Sequence, residues 1–369
     1  MKTTWFHTKQ FALTPFVVAS VVLLAPLLWR ASAANQPNTT YVMPLSAHDL
    51  GVDQRYETFA HVAGIQAEGK DFRARRHKSD TSWPEQEFDG ADKTVLSNWI
   101  IYGNSFYSMG AGTVVGCWRN APENTPGSLH ADFQAGKFAG GGNHLWILQD
   151  DGVYALYAHA KLGSIPAALC PHNATLFTGV SGKGGSPDIE PEVAVTNGAK
   201  VKAGQFLGLI GNSGASSGGP HLHVHMEKDG VPVVMTFDRG MTTPFLNGIM
   251  GLFNGPWTRL NGKALPKANI LVWAPHPIGN YTFNGTPAAE YQSLFDHMSD
   301  SGMMPDLITC KSNGATYNVT WIPSKGTWRS HYGMFAEDAI VKHATYTAQG
   351  YQRTSSFTCG SVSVAVWRK

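Results

Sequence analysis

The feature that most constrains this chain is the run Gly218-Gly219-Pro220-His221-Leu222-His223-Val224-His225-Met226-Glu227. Alternation of apolar and imidazole side chains reads as a β-strand, because successive strand residues point to opposite faces. Leu222, Val224 and Met226 then share a face that packs into a core, and His221, His223 and His225 share the other. Neutral imidazole serves both as a zinc ligand and as a general base. A single His in such a place would be an ordinary polar face. Three in alternation after a Gly-rich turn point instead to a built site.

The surrounding sequence is β-rich. The stretch Thr113-Val114-Val115-Gly116-Cys117-Trp118 reads as a strand, and the apolar runs 144–149 and 153–159 flank Asp150-Asp151-Gly152, a turn of the kind that joins hairpins. A further strand region at 201–210 is broken by Gly204 and Gly208. Helical periodicity is nearly absent from 98 to 240, so the expected core is an antiparallel sheet of many short strands.

Several motifs here stand in a defined order. Tyr157-Ala158-His159 closes a strand, Val201-Lys202-Ala203-Gly204-Gln205 follows, then Gly211-Asn212-Ser213-Gly214, then Pro220-His221-Leu222-His223. This series resembles the core of the M23 (lysostaphin-type) zinc endopeptidases over roughly residues 98–234. The resemblance implies a mainly β, antiparallel peptidase fold that uses Zn²⁺. It places His223 as a metal ligand and His159 and His221 as the catalytic pair. It also implies a substrate class, peptidoglycan cross-bridges or Gly-rich peptides. His225 lies beyond the matched pair and is expected to be solvated rather than to support the site.

One part of the family pattern is missing. An M23 site also draws on an upstream His-x-x-x-Asp, and none precedes residue 98. Gln54-Arg55-Tyr56 resembles the start of a divergent form of that motif, but it continues Glu57-Thr58-Phe59-Ala60-His61 without the expected Asp. His61 is the best single candidate for the remaining ligands. His77 and Asp80 are three apart, and His48 and Asp49 are adjacent, so neither pair has the family spacing. A catalytic zinc needs about three protein ligands. Two readings follow: a secreted M23-like zinc endopeptidase or, if the ligands are lost, an inactive M23-like module that binds cell wall or activates another hydrolase.

The N-terminus reads as an export signal: Lys2 and Lys9, an apolar stretch at 11–29, and the small-residue site Ala31-Ser32-Ala33. Cleavage after 33 is expected, giving a secreted or periplasmic chain without a membrane segment. In an oxidising compartment the four cysteines pair. Of the three possible pairings, Cys117 with Cys170 and Cys310 with Cys359 keeps each bridge inside one expected domain. With 28 basic and 26 acidic residues the formal charge is +2, too small for a nucleic-acid partner.

The C-terminal hundred residues are self-similar. Trp273-Ala274-Pro275 and Trp321-Ile322-Pro323 lie 48 residues apart, Gly302 and Gly350 keep the same offset, and Cys310 and Cys359 nearly do. Helix-like segments at 287–301 and 336–349 precede the glycines, and β-like runs at 317–321 and 362–367 close each unit. Such a period indicates a duplicated unit, similar to the tandem-repeat modules of some bacterial secreted hydrolases. The expected organisation is a signal at 1–33, a divergent N-terminal peptidase part at 34–97, an M23-like core at 98–240, a linker at 241–266 and two tandem α+β repeats at 267–369. The cluster Arg73, Arg75, Arg76, His77 and Lys78 is expected on a solvated loop.

Overall fold

The computed structural model describes residues 40–369 apart from 52, 138, 172–192, 247, 249, 254–256, 269, 274–279 and 301. The export signal expected at 1–33 lies outside the described residues. No helix among those described is long and apolar enough to cross a membrane.

The protein is mainly β. The strands that matter for the site are β1 (Gln54–Ala60), β2 (Lys70–Arg76), β3 (Gly112–Trp118), β4 (Asn143–Gln149), β5 (Tyr154–Ala160), β6 (Lys200–Val201), β7 (Leu222–Lys228), β8 (Met241–Leu246), β9 (Met250–Gly251) and β10 (Ile270–Trp273). They lie in one large antiparallel sheet in the order β9-β8-β10-β1-β2-β7-β5-β4-β3-β6. The hairpin between β4 and β5 turns at Gly152, whose φ of 81° suits glycine, and the Asp151 carboxylate accepts the backbone N–H of Val153.

The alternation along β7 is realised. Leu222, Val224 and Met226 are fully buried in the main core with Leu145, Ile147, Ala155 and Tyr157 of the neighbouring strands. Burying three such side chains stabilises the fold by about 1.5–3 kcal/mol each, which ties the register of β7 to the core and fixes its histidines on the opposite face. That face carries Trp146, Leu156 and Ala158.

Two expectations change. Residues 241–266 are not a linker, since β8 pairs with β10 in the central sheet and Met241 and Phe245 are buried. The basic cluster is not a solvated loop either. Arg73, Arg75 and Arg76 lie on β2, where Arg73 and Arg75 both reach Glu85 at 3.1 Å and Arg75 also pairs with the buried Glu57. Arg76 and Lys78 share Asp89. Buried or half-buried cations on a central strand need such partners.

The C-terminal part holds two βαββ units. The first consists of β11 (Tyr281–Pro287), α1 (Ala288–Asp300), β12 (Met303–Lys311) and β13 (Thr316–Pro323). The second consists of β14 (Trp328–Met334), α2 (Ala336–Ala348), β15 (Gln352–Cys359) and β16 (Val362–Arg368). In each three-stranded sheet the last strand lies in the middle, and its Trp321 or Trp367 is fully buried. Trp273 belongs to the central sheet, so the unit begins at 281 rather than 267, and the counterpart of Trp321 is Trp367. In α1, Tyr291, Leu294 and Met298 recur at helical spacing on a buried face. Gly302 and Gly350 follow the helices with φ of 78° and 84°, the left-handed conformation that ends a helix without a Cβ clash.

Both expected disulfides are present, Cys117–Cys170 with Cα atoms 5.6 Å apart and Cys310–Cys359 with Cα atoms 5.9 Å apart. The first anchors the segment after β5 to β3, and the second joins β12 of one βαββ unit to β15 of the other. Two such bridges fit an oxidising, non-cytoplasmic compartment.

Candidate metal centre and catalytic site

Three donor atoms converge above the sheet. The Nδ1 of His223 lies 2.8 Å from Oδ1 of Asp71, Nε2 of His61 lies 3.0 Å from the same oxygen, and the two nitrogens are 3.1 Å apart. The backbone explains the meeting. On β2, Asp71 stands opposite Phe59 of β1 on one side and opposite His223 of β7 on the other. His61 follows the end of β1, and its N–H donates to the Gly69 carbonyl at 3.0 Å, closing the hairpin that brings it over Asp71. Asp71 is the ligand-type residue absent from the sequence reading. It comes from the next strand, ten residues after His61, not from four residues on.

The donor chemistry fits the zinc that the family resemblance implies. Two imidazole nitrogens and a carboxylate oxygen are zinc ligand types, and ligands about 2.0–2.1 Å from a tetrahedral ion stand about 3.3 Å apart. The observed triangle of 2.8–3.1 Å is close to that. Burial of Asp71 alone would raise its pKa. Hydrogen bonds from His223 and His61 and the nearby His221 outweigh it and hold the carboxylate well below its usual range, so it stays an anion. His61 is pushed up, chiefly by its hydrogen bond to Asp71.

His159 and His221 flank this triangle. Their rings lie 4.6 Å apart, and His221 Nε2 is 3.8 Å from Asp71 Oδ1. Each ring donates through Nδ1 to a backbone carbonyl, His159 to Ser213 at 2.8 Å and His221 to Gly219 at 3.0 Å. That fixes the tautomer and leaves Nε2 as a lone pair. Burial lowers the pKa of both below the usual imidazole value, that of His159 the further, so both are neutral at neutral pH.

His159 does not reach the site by alternation alone. Leu156 and Ala158 face the site and Tyr157 faces the core, so a regular strand would turn His159 to the core. Its φ is +66°, and the pairing of β4 with β5 shifts register between Asn143 and Leu145. Such a bulge re-aims a side chain, and a non-glycine residue in this conformation costs about 1–3 kcal/mol.

The Gly-Asn-Ser-Gly turn holds the arrangement. Ser213 Oγ accepts the N–H of Asn143 and donates to the Ala160 carbonyl, both at 2.9 Å, while Asn124 donates to the carbonyls of Gly214 and Ser216. Gly142 and Gly214 pass so closely that a Cβ on Gly142 would lie 2.5 Å from the Gly214 nitrogen. Gly142→Ala should therefore displace the Ser213 carbonyl that orients His159. We expect a loss of about 1–3 kcal/mol, as for overpacking elsewhere, and lower turnover; thermal unfolding beside a hydrolysis assay reads both, and an unchanged variant would refute this role of the turn.

The groove above the site encloses about 390 Å³. Its walls include small residues, Gly140, Gly141, Ala215 and Gly218, and Trp146 and Leu156 line it beside the histidines. His225, expected to be solvated, is buried instead. It is 3% exposed, and its Nδ1 lies 2.9 Å from His223 Nε2. The other paired residues of the sequence reading lie elsewhere. His77 contacts Asp80 and stacks on Phe253, His48 packs near Tyr281, and Asp49 accepts the Ser105 N–H.

Residues 190–235 match the model of peptidase family M23, so the resemblance to these peptidases holds on the segment that carries β7 and its histidines. No curated protein matches the chain. Among solved structures, the catalytic domain of the antimicrobial peptidase lysostaphin from Staphylococcus simulans is 18% identical, covering 48% of this chain and 80% of that one, with a TM-score of 0.22. A catalytic-domain mutant of the prophage-encoded M23 protein EnpA from Enterococcus faecalis is 17% identical, covering 55% of this chain and 94% of that one, with a TM-score of 0.23. A zinc-containing peptidase from Vibrio cholerae is 17% identical, covering 45% and 48%, with a TM-score of 0.21.

Proposed function

We propose that this chain is a secreted, zinc-dependent endopeptidase that cleaves peptidoglycan cross-bridges or other Gly-rich peptides. The observation that carries the reading is the meeting of His61, Asp71 and His223 beside two imidazoles with bare Nε2 atoms. The inactive-module reading rested on a missing carboxylate, and Asp71 supplies one. Export is supported by the signal-like residues 1–33 and the two disulfides.

His61, Asp71 and His223 would hold the metal. Zinc held there supplies a Lewis acid that brings the pKa of water near 7 and polarises a carbonyl. The chain's own residues do the rest. One of the bare Nε2 atoms, on His159 or His221, takes the proton of the attacking water and returns it to the leaving amine. The ring that has taken the proton then faces the oxyanion as a donor. The small-residue walls let a peptide main chain with little side chain lie close to these groups.

The direct test is zinc quantification on the mature chain beside release of amines from purified peptidoglycan and from Gly-rich peptides. About one zinc per chain and new amino termini are expected. A chain that takes up no zinc at micromolar metal yet sediments with cell walls would be a binding module instead.

A further inference from the structure

The structure assigns His225 a positioning role: we propose that it is the hydrogen-bond acceptor that turns His223 so that Nδ1 faces the metal. This rests on the zinc-peptidase reading. If Nδ1 of His223 is the ligand atom, it carries no proton, and the ring's hydrogen must sit on Nε2. Among the described residues, the group within reach of that hydrogen is Nδ1 of His225, at 2.9 Å. It can accept only if its own hydrogen is on Nε2, so the two rings form a directed chain from the metal side to His225.

The surroundings hold His225 in that place. Its ring meets Trp146 edge to face, with centroids 5.3 Å apart at 82°. Gly69 closes over it, since a Cβ there would come within 3.1 Å of the His225 Cβ. Its backbone is fixed in β7 by pairing with Leu156 of β5. Metal-bound histidines generally donate their second N–H to a carboxylate, a carbonyl or water, and losing that partner costs 10–100-fold in metal affinity or activity. Here a neutral imidazole stands in that position. It orients the ligand without adding negative charge, which leaves Asp71 as the anion among the groups contacting the triangle.

The test uses the full mature chain and zinc alone. His225→Leu should bind zinc about 10–100-fold more weakly than wild type in competition with a chromogenic chelator. His225→Asn, whose Oδ1 takes the place of Nδ1 and can accept the same hydrogen, should return most of that affinity. Rescue by Asn separates orientation from simple packing, which Leu would also satisfy. Nitrogen NMR of the zinc-loaded wild type supplies a reading that needs no variant: His225 should be neutral, with its proton on Nε2. Equal zinc affinity in wild type and His225→Leu, an Asn variant as weak as Leu, or a proton on Nδ1 of His225 would each overturn the assignment. A wild-type chain without zinc would overturn the peptidase reading itself, and the inference with it.

Discussion

Replacing His223 by Ala, or Asp71 by Asn, is expected to strip zinc from the chain. Zinc sites of four ligands are worth about 10–16 kcal/mol, so one ligand carries roughly 3 kcal/mol, about 10²-fold or more in affinity. Asp71→Asn is the sharper of the two. It keeps the shape of the side chain while removing the negative charge that His61 and His223 both contact. His61→Ala should follow the same direction with a smaller effect, because that side chain is a third exposed and water can take its place. Equilibrium dialysis against zinc of defined concentration reads all three. Full zinc occupancy in Asp71→Asn would remove Asp71 from the site and return the question of the missing ligand.

His159→Ala and His221→Ala should behave in the opposite way, retaining metal and losing turnover by about 10²–10⁴-fold, the usual contribution of a proton-transfer group. Burial lowers the pKa of both rings, and a bound cation would lower it further in the same direction. The base form therefore persists as the solution becomes acid, and the acidic limb of kcat/KM should fall below about pH 6.5, the ordinary imidazole value. Single-turnover hydrolysis of a Gly-rich peptide across pH, with zinc content measured on the same samples, separates the two classes of variant. Zinc loss on removing His159 would make it a ligand rather than a base.

Much of this was legible because β-structure writes itself with a period of two. The alternation Leu222, Val224, Met226 against His221, His223, His225 states both which face is core and which groups share the other. The hairpin at Asp150-Asp151-Gly152 and the two helices before Gly302 and Gly350 were legible for similar local reasons. What escaped was set by partners distant in sequence. Asp71 is uninformative alone, because its place beside His61 depends on the register of β1 with β2 and of β2 with β7. His225 looks like one more polar residue on a strand face until Trp146 and Gly69 are seen to enclose it. The aim of His159 depends on a bulge that no residue type announces. The strand at 241–246 was hidden by Pro244 and by a partner, β10, some thirty residues away.

The hairpin that joins His61 to Asp71 has a consequence for how such sites vary. In a His-x-x-x-Asp motif the two donors are bound by their spacing, and any inserted residue separates them. Here they are brought together by strand pairing and by the bond from His61 to Gly69, while the tip between them faces outward, with Val62 84% exposed. Insertions or deletions at that tip should leave His61 and Asp71 together, because strand pairing rather than sequence interval sets their places. One residue added within β2, before Asp71, would instead turn the carboxylate to the opposite face of the sheet.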